Sequence, residues 1–191
     1  VLLFSYKYNM ICCLAVSPNY RNQGIGSKLL VYALDKLDRT RIITVSTFRE
    51  DDDKGMAPRA LYKKYGFIAD ELIEELGYPN QKFILYPNCR VIDIYGDNYS
   101  KITRHCREAS RAIIIKDGKI MLSHETKNGQ WMIPGGGIEG NETPIECCIR
   151  EVAEETGLVV KPEKCFLVMN EYYEDWKFVS YYFECTVEGI T

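Results

Sequence analysis

Three glutamates are spaced so that a helix would carry them on one face. Glu151, Glu154 and Glu155 stand at positions i, i+3 and i+4. Carboxylate oxygens grouped in this way are hard ligands that suit Mg²⁺. The glycines at 135–137 leave the backbone bare at a tight turn. A carbonyl oxygen there, such as that of Gly135, is a further ligand. The pattern favours a metal site over a charged, solvent-facing helix.

Start and stop signals place these glutamates on a helix. The run Thr143-Pro144-Ile145-Glu146 combines a capping box with proline at the first helical position. The helix is predicted to run to about Thr156, where Gly157 ends it. The opposite charges of Glu142 and Arg150 predict an ion pair that fixes the preceding loop onto this helix.

The spacing of this region resembles the Nudix box G-x5-E-x7-R-E-U-x-E-E-x-G-U, in which U is an apolar residue. The chain matches it at every specified position: Gly136, Glu142, Arg150, Glu151, Val152, Glu154, Glu155, Gly157 and Leu158. The second half of the chain is therefore identified as a Nudix hydrolase domain by resemblance.

This resemblance implies hydrolysis of a diphosphate linkage in a nucleoside diphosphate derivative or a nucleoside triphosphate. Mg²⁺ or Mn²⁺ would polarise the phosphoryl oxygens, and a glutamate would activate the attacking water. Carried over, Glu151 and Glu155 are the principal metal ligands, and Gly135 is a further one. Glu154 is either another ligand or the catalytic base.

Aromatic side chains able to stack a nucleobase flank the box. They are Trp131, Tyr172, Tyr173, Trp176 and Phe178. Aromatic residues on strands also pack against the sheet, and the two interpretations stay open. The groups that select the substrate are expected after Asn170 and beyond Thr191.

A second candidate site lies near the beginning of the chain. The run Arg21-Asn22-Gln23-Gly24-Ile25-Gly26 sits between a predicted strand ending at Val16 and an amphipathic helix over Gly26–Leu37. Small residues let backbone N–H groups approach a phosphate closely, and the helix dipole attracts the anion. The pattern predicts a phosphate-binding turn.

The same run resembles the R/Q-x-x-G-x-G/A motif of GNAT acetyltransferases. Residues 60–67 (ALYKKYGF) are similar to that family's second signature, although Gly55 and Pro58 depart from it. The resemblance implies acetyl-CoA as co-substrate and Tyr62 as the acid that protonates the CoA thiolate. A tyrosine that only packs is the alternative. The residues expected to bind CoA are Arg21, Gln23, Gly24, Ile25, Gly26 and Ser27.

Composition limits the remaining classes. Of 191 residues, 46% are hydrophobic and 27% charged, with a net charge of −3, so a basic surface for nucleic-acid polymers is not expected. No apolar run is long enough for a membrane span and no signal peptide precedes the first strand, which favours a cytoplasmic protein. The eight cysteines include no C-x-x-C spacing, which favours reduced thiols. A homodimer stays open.

Turn-rich sequence at Tyr86–Arg90 predicts a domain boundary near Asn88. Residues 1–88 are expected to be the C-terminal part of a GNAT domain, and 89–191 a Nudix domain that lacks its C-terminal end. The predicted fold class is α/β with mixed sheets: a GNAT-type sheet followed by an α/β/α sandwich.

Two functional hypotheses follow for the whole chain. The preferred one is a bifunctional protein, a nucleotide-diphosphate hydrolase fused to an N-acetyltransferase. The alternative is an acetyltransferase whose Nudix part senses nucleotides by binding them. In a third interpretation both parts are structural. It predicts that neither acetyl-CoA nor Mg²⁺-nucleotide raises the melting temperature of the protein.

Overall fold

Each half of the chain combines β-strands with at least one α-helix. The computed structural model describes residues 1–127 and 129–191. It divides into two units, Val1–Asn88 and Cys89–Thr191. The predicted fold class, α/β with mixed sheets, is confirmed.

The first unit is one five-stranded sheet with two helices. Its strands follow the order β1-β2-β3-β5-β4, and only the β2–β3 pair is parallel. The elements are β1 (Leu2–Ser5), β2 (Met10–Leu14), α1 (Ile25–Lys36), β3 (Ile43–Phe48), α2 (Met56–Lys64), β4 (Ile68–Glu75) and β5 (Tyr78–Leu85).

The parallel pair β2–β3 separates soon after it begins. Its register contains only Met10 opposite Thr44 and Ile11 opposite Val45. Beyond these pairs the backbones diverge and leave the ends of both strands unpaired with each other. This divergence makes room for the cavity of the first unit.

Strand β4 has no counterpart among the sequence predictions. Its sequence is rich in acidic residues and lacks regular apolar alternation, because it lies at the sheet edge with several side chains exposed. It joins β5 through Leu76 and Gly77, whose φ angles are +54° and +74°. Two positive φ values in a two-residue hairpin loop are typical of a type I′ turn.

The second unit is built on a five-stranded mixed sheet with strand order β6-β11-β12-β7-β8, and β9 and β10 form a separate pair. The elements are β6 (Arg90–Tyr95), β7 (His105–Lys116), β8 (Lys119–Ile120), β9 (Ser123–Glu125), β10 (Gln130–Met132), α3 (Pro144–Thr156), β11 (Leu158–Tyr173) and β12 (Trp176–Ile190).

The dipeptide Asp117-Gly118 is a strong hairpin signal in the sequence, and it joins β7 to β8. Strands β11 and β12 form an antiparallel pair that extends from Leu158 to Ile190. Within residues 89–127 and 129–191, α3 is the only α-helix.

A glycine-rich segment, residues 134–138, runs along the free side of β7. Three backbone hydrogen bonds attach it: Ile138 N–H to Glu108 O at 2.9 Å, Ser110 N–H to Gly136 O at 3.0 Å, and Ala112 N–H to Pro134 O at 2.9 Å. We call this stretch the glycine segment. It places the start of the Nudix box against the sheet.

Helix α3 follows the predicted boundaries. The Thr143 hydroxyl accepts from Glu146 N–H at 3.3 Å, and the Glu146 carboxylate accepts from Thr143 N–H at 2.7 Å. Three of its side chains, Cys147, Cys148 and Val152, are completely buried. This inner face holds the outer, acidic face in a fixed orientation. Across the part of the chain that the structure describes, no helix is long and apolar enough to cross a membrane.

Removing the capping box should loosen α3 without unfolding the sheet. Thr143→Ala is expected to lower the local stability of the helix N-terminus by about 1 kcal/mol, because Glu146 N–H loses its acceptor. Amide hydrogen exchange of peptides covering Pro144–Thr156 measures this change. The exposed Thr103→Ala serves as the control. Equal exchange in both variants contradicts the role of the cap.

Candidate functional site

Two glycines of the glycine segment lie where no side chain fits. A Cβ on Gly135 would fall far inside van der Waals contact with Ser110 O, and the Gly135 φ angle is +139°. A Cβ on Gly136 would collide with the carboxylate of Glu151. The bare backbone therefore lets β7 approach from one side and a helix carboxylate from the other.

Arg150 connects the loop, the glycine segment and the acidic face of α3. Its guanidinium donates to both Glu142 carboxylate oxygens, at 2.6 and 3.1 Å, and to Gly137 O at 3.0 Å. It also contacts Glu151 at 2.9 Å and Glu154 at 3.2 Å. The expected Glu142–Arg150 ion pair is thus present within a larger network.

This network changes the ionisation of its members. The hydrogen bonds from Arg150 lower the pKa of Glu142, and they raise the pKa of the Arg150 guanidinium above its ordinary value. Both charges are therefore maintained across the neutral pH range. Glu142 holds Arg150 in place, and Arg150 holds the loop.

The three predicted glutamates do not converge on one point. Arg150 draws Glu151 and Glu154 towards itself, while Glu155 accepts from Gly135 N–H at 3.2 Å. In the described residues 1–127 and 129–191, no group of three or more His, Cys, Asp or Glu side chains is arranged to hold a metal ion. In this arrangement the like charges stay apart, and a guanidinium satisfies two of them.

The donor set nevertheless has the chemistry of a divalent-cation site. Glu151 and Glu155 both meet the glycine segment, one above Gly136 and the other at Gly135. All donors are oxygens, as Mg²⁺ prefers. The Gly135 carbonyl accepts from the Arg111 guanidinium, and a carbonyl oxygen has a second lone pair. These groups fit a hard cation. Glu154 is the outlying member, with 62% of its side chain exposed.

The predicted aromatic residues fall into separate groups. Trp176 stacks on Phe178 with ring centroids 5.6 Å apart and on His105 at 4.7 Å. Tyr172 stacks on Tyr95 at 4.8 Å. Trp131 contacts His124 at 4.6 Å, and Tyr173 is exposed. We call the His105–Trp176–Phe178 group the aromatic row, and its member Phe178 lines the same small cavity as Gly136 and Gly137.

The second candidate site is a cavity of about 620 Å³ in the first unit. Its walls include the diverging ends of β2 and β3, together with the N-terminus of α1 and one face of α2. Of the predicted CoA-binding residues, Gln23 does not line it. Those that do are Arg21, Gly24, Ile25, Gly26 and Ser27, and they share the cavity with Tyr62.

Tyr62 combines burial with access to this cavity. Its ring packs near Phe67 and Phe83, and only 3% of the residue is exposed. Burial, with a smaller contribution from nearby Cys13, raises the pKa of Tyr62 to about 12. The phenol therefore keeps its proton at neutral pH, as a proton donor must.

Sequence reasoning overlooked Arg111, whose guanidinium donates to the Gly135 carbonyl. It lies on β7, distant in sequence from the box, so no local motif includes it. One signal in the sequence could have indicated it: Arg107 and Arg111 are four residues apart on one strand, so both side chains lie on the same face of β7.

Two family models match the chain, one in each half. Residues 105–191 match the family model described as the NUDIX domain. Residues 1–69 match the model described as the acetyltransferase (GNAT) domain. Residues 1–69 thus match the GNAT family and residues 105–191 match the Nudix family, so both resemblances are confirmed.

Relatives match over part of their length. The ADP-ribose pyrophosphatase of Methanocaldococcus jannaschii is 35% identical over 85 residues, covering 37% of this chain and 50% of that protein. Phosphatase NudJ of Escherichia coli is 33% identical over 82 residues, covering 41% and 53%. This chain thus spans about half the length of these relatives.

Among solved structures, an N-acetyltransferase from Staphylococcus aureus Mu50 is 30% identical with a TM-score of 0.34. The match covers 40% of this chain and 39% of that chain.

Acid should remove the contribution of Glu142 to stability. Its pKa in the folded protein lies below the ordinary value of 4.5, so its ionised form stabilises the fold above pH 4.5. That stabilisation is lost as the pH falls through the lowered value. The melting temperature of Glu142→Gln should therefore lie below that of the unmodified protein at neutral pH, and the gap should close as the pH falls below 4.5. Glu139→Gln should show no such gap, and a gap independent of pH contradicts the linkage.

Proposed function

We propose that the second unit hydrolyses a diphosphate linkage in a nucleoside diphosphate derivative or nucleoside triphosphate. One observation carries this proposal: two carboxylates from adjacent turns of α3 meet a backbone segment that has no side chains. Such a segment allows a phosphate chain and a cation to approach the carboxylates closely.

Glu151, Glu155 and the carbonyl oxygen of Gly135 are the groups that would hold Mg²⁺ or Mn²⁺. A bound ion of this kind offsets charge that develops on phosphoryl oxygens. The protein residues supply the rest. Arg150 fixes Glu151 and the loop, and exposed Glu154 would accept a proton from water or serve as a further ligand.

The substrate class rests on the relatives and on the aromatic row. The pyrophosphatase named above acts, by its name, on ADP-ribose, which contains a nucleoside diphosphate. The aromatic row lies on the sheet beside the glycine segment and offers planar surfaces for a base. Both features favour nucleotide-type substrates.

Glu155→Gln tests this function. It should lower the turnover of ADP-ribose, dNTPs or dinucleoside polyphosphates by about 100-fold or more, because a ligand of the cation is lost. Turnover by the unmodified protein should require Mg²⁺, measured as phosphate or nucleotide release. Glu188→Gln, on β12, is the control and should keep full activity.

Two results contradict the hydrolase assignment. One is equal turnover by Glu155→Gln. The other is tight binding of Mg²⁺ and nucleotide by the unmodified protein with no turnover of any member of the panel. That second result favours the alternative in which the Nudix part senses nucleotides.

We further propose that the first unit binds acetyl-CoA and transfers its acetyl group to an amine. The cavity that joins the predicted phosphate-binding turn to Tyr62 favours this second function. Backbone N–H groups at the start of α1 would hold the pyrophosphate. Protonated Tyr62 would return a proton to the departing thiolate.

Tyr62→Phe separates chemistry from binding in this cavity. The rate of acetyl transfer to a panel of primary amines should fall by about 100-fold or more, since general acid catalysis is lost. The rise in melting temperature caused by acetyl-CoA should persist. Tyr65→Phe is the matched control and should retain activity. An unchanged rate in Tyr62→Phe leaves Tyr62 as a packing residue.

A further inference from the structure

A small cavity of about 210 Å³ lies on the second unit beside the glycine segment. Its walls include Gly136, Gly137, Arg107, Arg111 and Phe178. Pockets that enclose whole ligands usually measure about 300–1,000 Å³. This cavity therefore suits one part of a substrate, and its position next to Gly136 puts that part close to Glu151.

The register of the sheet explains why these residues share one wall. Side chains alternate along a strand, so Arg107 and Arg111 of β7 point to the same face. Phe178 and Ser180 of β12 stand opposite Arg107 and Ala109. Cationic and aromatic groups are thus brought together by strand pairing rather than by proximity in sequence.

The two arginines differ in what they already contact. Arg111 donates to the Gly135 carbonyl and so supports the glycine segment. Arg107 is exposed, and a Cβ on Gly137 would lie 3.3 Å from its Nη2. Within residues 1–127 and 129–191, no hydrogen bond or ion pair engages the Arg107 side chain. Its donors remain available next to the cavity.

The charge of the wall favours an anion. Glu171 is the one acidic residue that lines the cavity, against two guanidinium groups. Among the described residues, no ion pair joins Glu171 to either arginine. The wall therefore has a net positive charge, and a guanidinium fork matches the geometry of phosphate oxygens.

The aromatic row extends from this cavity towards the end of the sheet. Phe178 lines the cavity, Trp176 stacks on it, and His105 stacks on Trp176. Along each strand, the step from one member of a face to the next is about 6.6 Å. That spacing is on the scale of one ribose between a phosphate and a base.

We propose that Arg107 binds the phosphoryl group on the nucleoside side of the scissile linkage, while the base lies along the aromatic row. This inference rests on the proposed hydrolase function and adds a substrate-binding residue to its site. Diphosphates that lack a base bind more weakly, because they make no contact with the aromatic row.

Binding of ADP and of inorganic pyrophosphate, measured by calorimetry with Mg²⁺, tests the two parts separately. Arg107→Ala should raise the Kd for both ligands by about 10- to 100-fold, because a charge-assisted hydrogen bond is lost. The Kd values of Arg107→Lys should lie between those of the unmodified protein and those of Arg107→Ala. Trp176→Ala should weaken ADP binding and leave pyrophosphate binding unchanged. Arg104→Ala, immediately before β7, is the matched control and should behave like the unmodified protein.

Melting temperatures show whether each variant is folded, and KM for the best hydrolysed nucleotide should follow Kd. An unchanged Kd in Arg107→Ala overturns the inference even when hydrolysis is normal, and so does the absence of ADP binding by the unmodified protein. Loss of ADP binding in Arg107→Ala supports it even when no member of the panel is hydrolysed, in which case the hydrolase proposal alone fails.

Discussion

The second unit depends on a stretch of backbone that is approached from both sides. At Gly135 the carbonyl of Ser110 occupies the space of a side chain, and at Gly136 the carboxylate of Glu151 does so. Sheet and helix meet through this stretch without intervening side chains. The orientation of α3, the reach of Arg150 and the location of the small cavity all follow from that close approach.

Local signals in the sequence predicted the parts of this arrangement that are local in the chain. The capping box at Thr143 and the Glu142–Arg150 pair fall within a few helical turns, so their spacing already defines their contact. The attachment of residues 134–138 to β7 joins segments that are distant in sequence. The periodicity of the sequence does not indicate this pairing. The roles of Arg111 and Arg107 depend on the pairing, so they could not be predicted. The ion pairs of Arg150 with Glu151 and Glu154 also depend on side-chain orientations that the spacing of the residues does not define.

Two hairpins show when the residue types of a loop predict a turn and when they do not. Asp117-Gly118 and Leu76-Gly77 both have positive φ at each loop residue. The first has a residue typical of this turn, and it was predicted; the second places leucine there, and strand β4 was missed with it. The backbone geometry is the same, so the difference lies in residue preference. Tertiary pairing with β5 overrides that preference at Leu76.

The short pairing between β2 and β3 affects how the first unit tolerates substitutions in the walls of its cavity. Its cavity exists because two backbones diverge after Ile11 and Val45, not because large side chains happen to be missing. Substitutions along the walls would then reshape the opening without closing it. An architecture of this kind can change what its opening admits while its helix N-terminus stays in place.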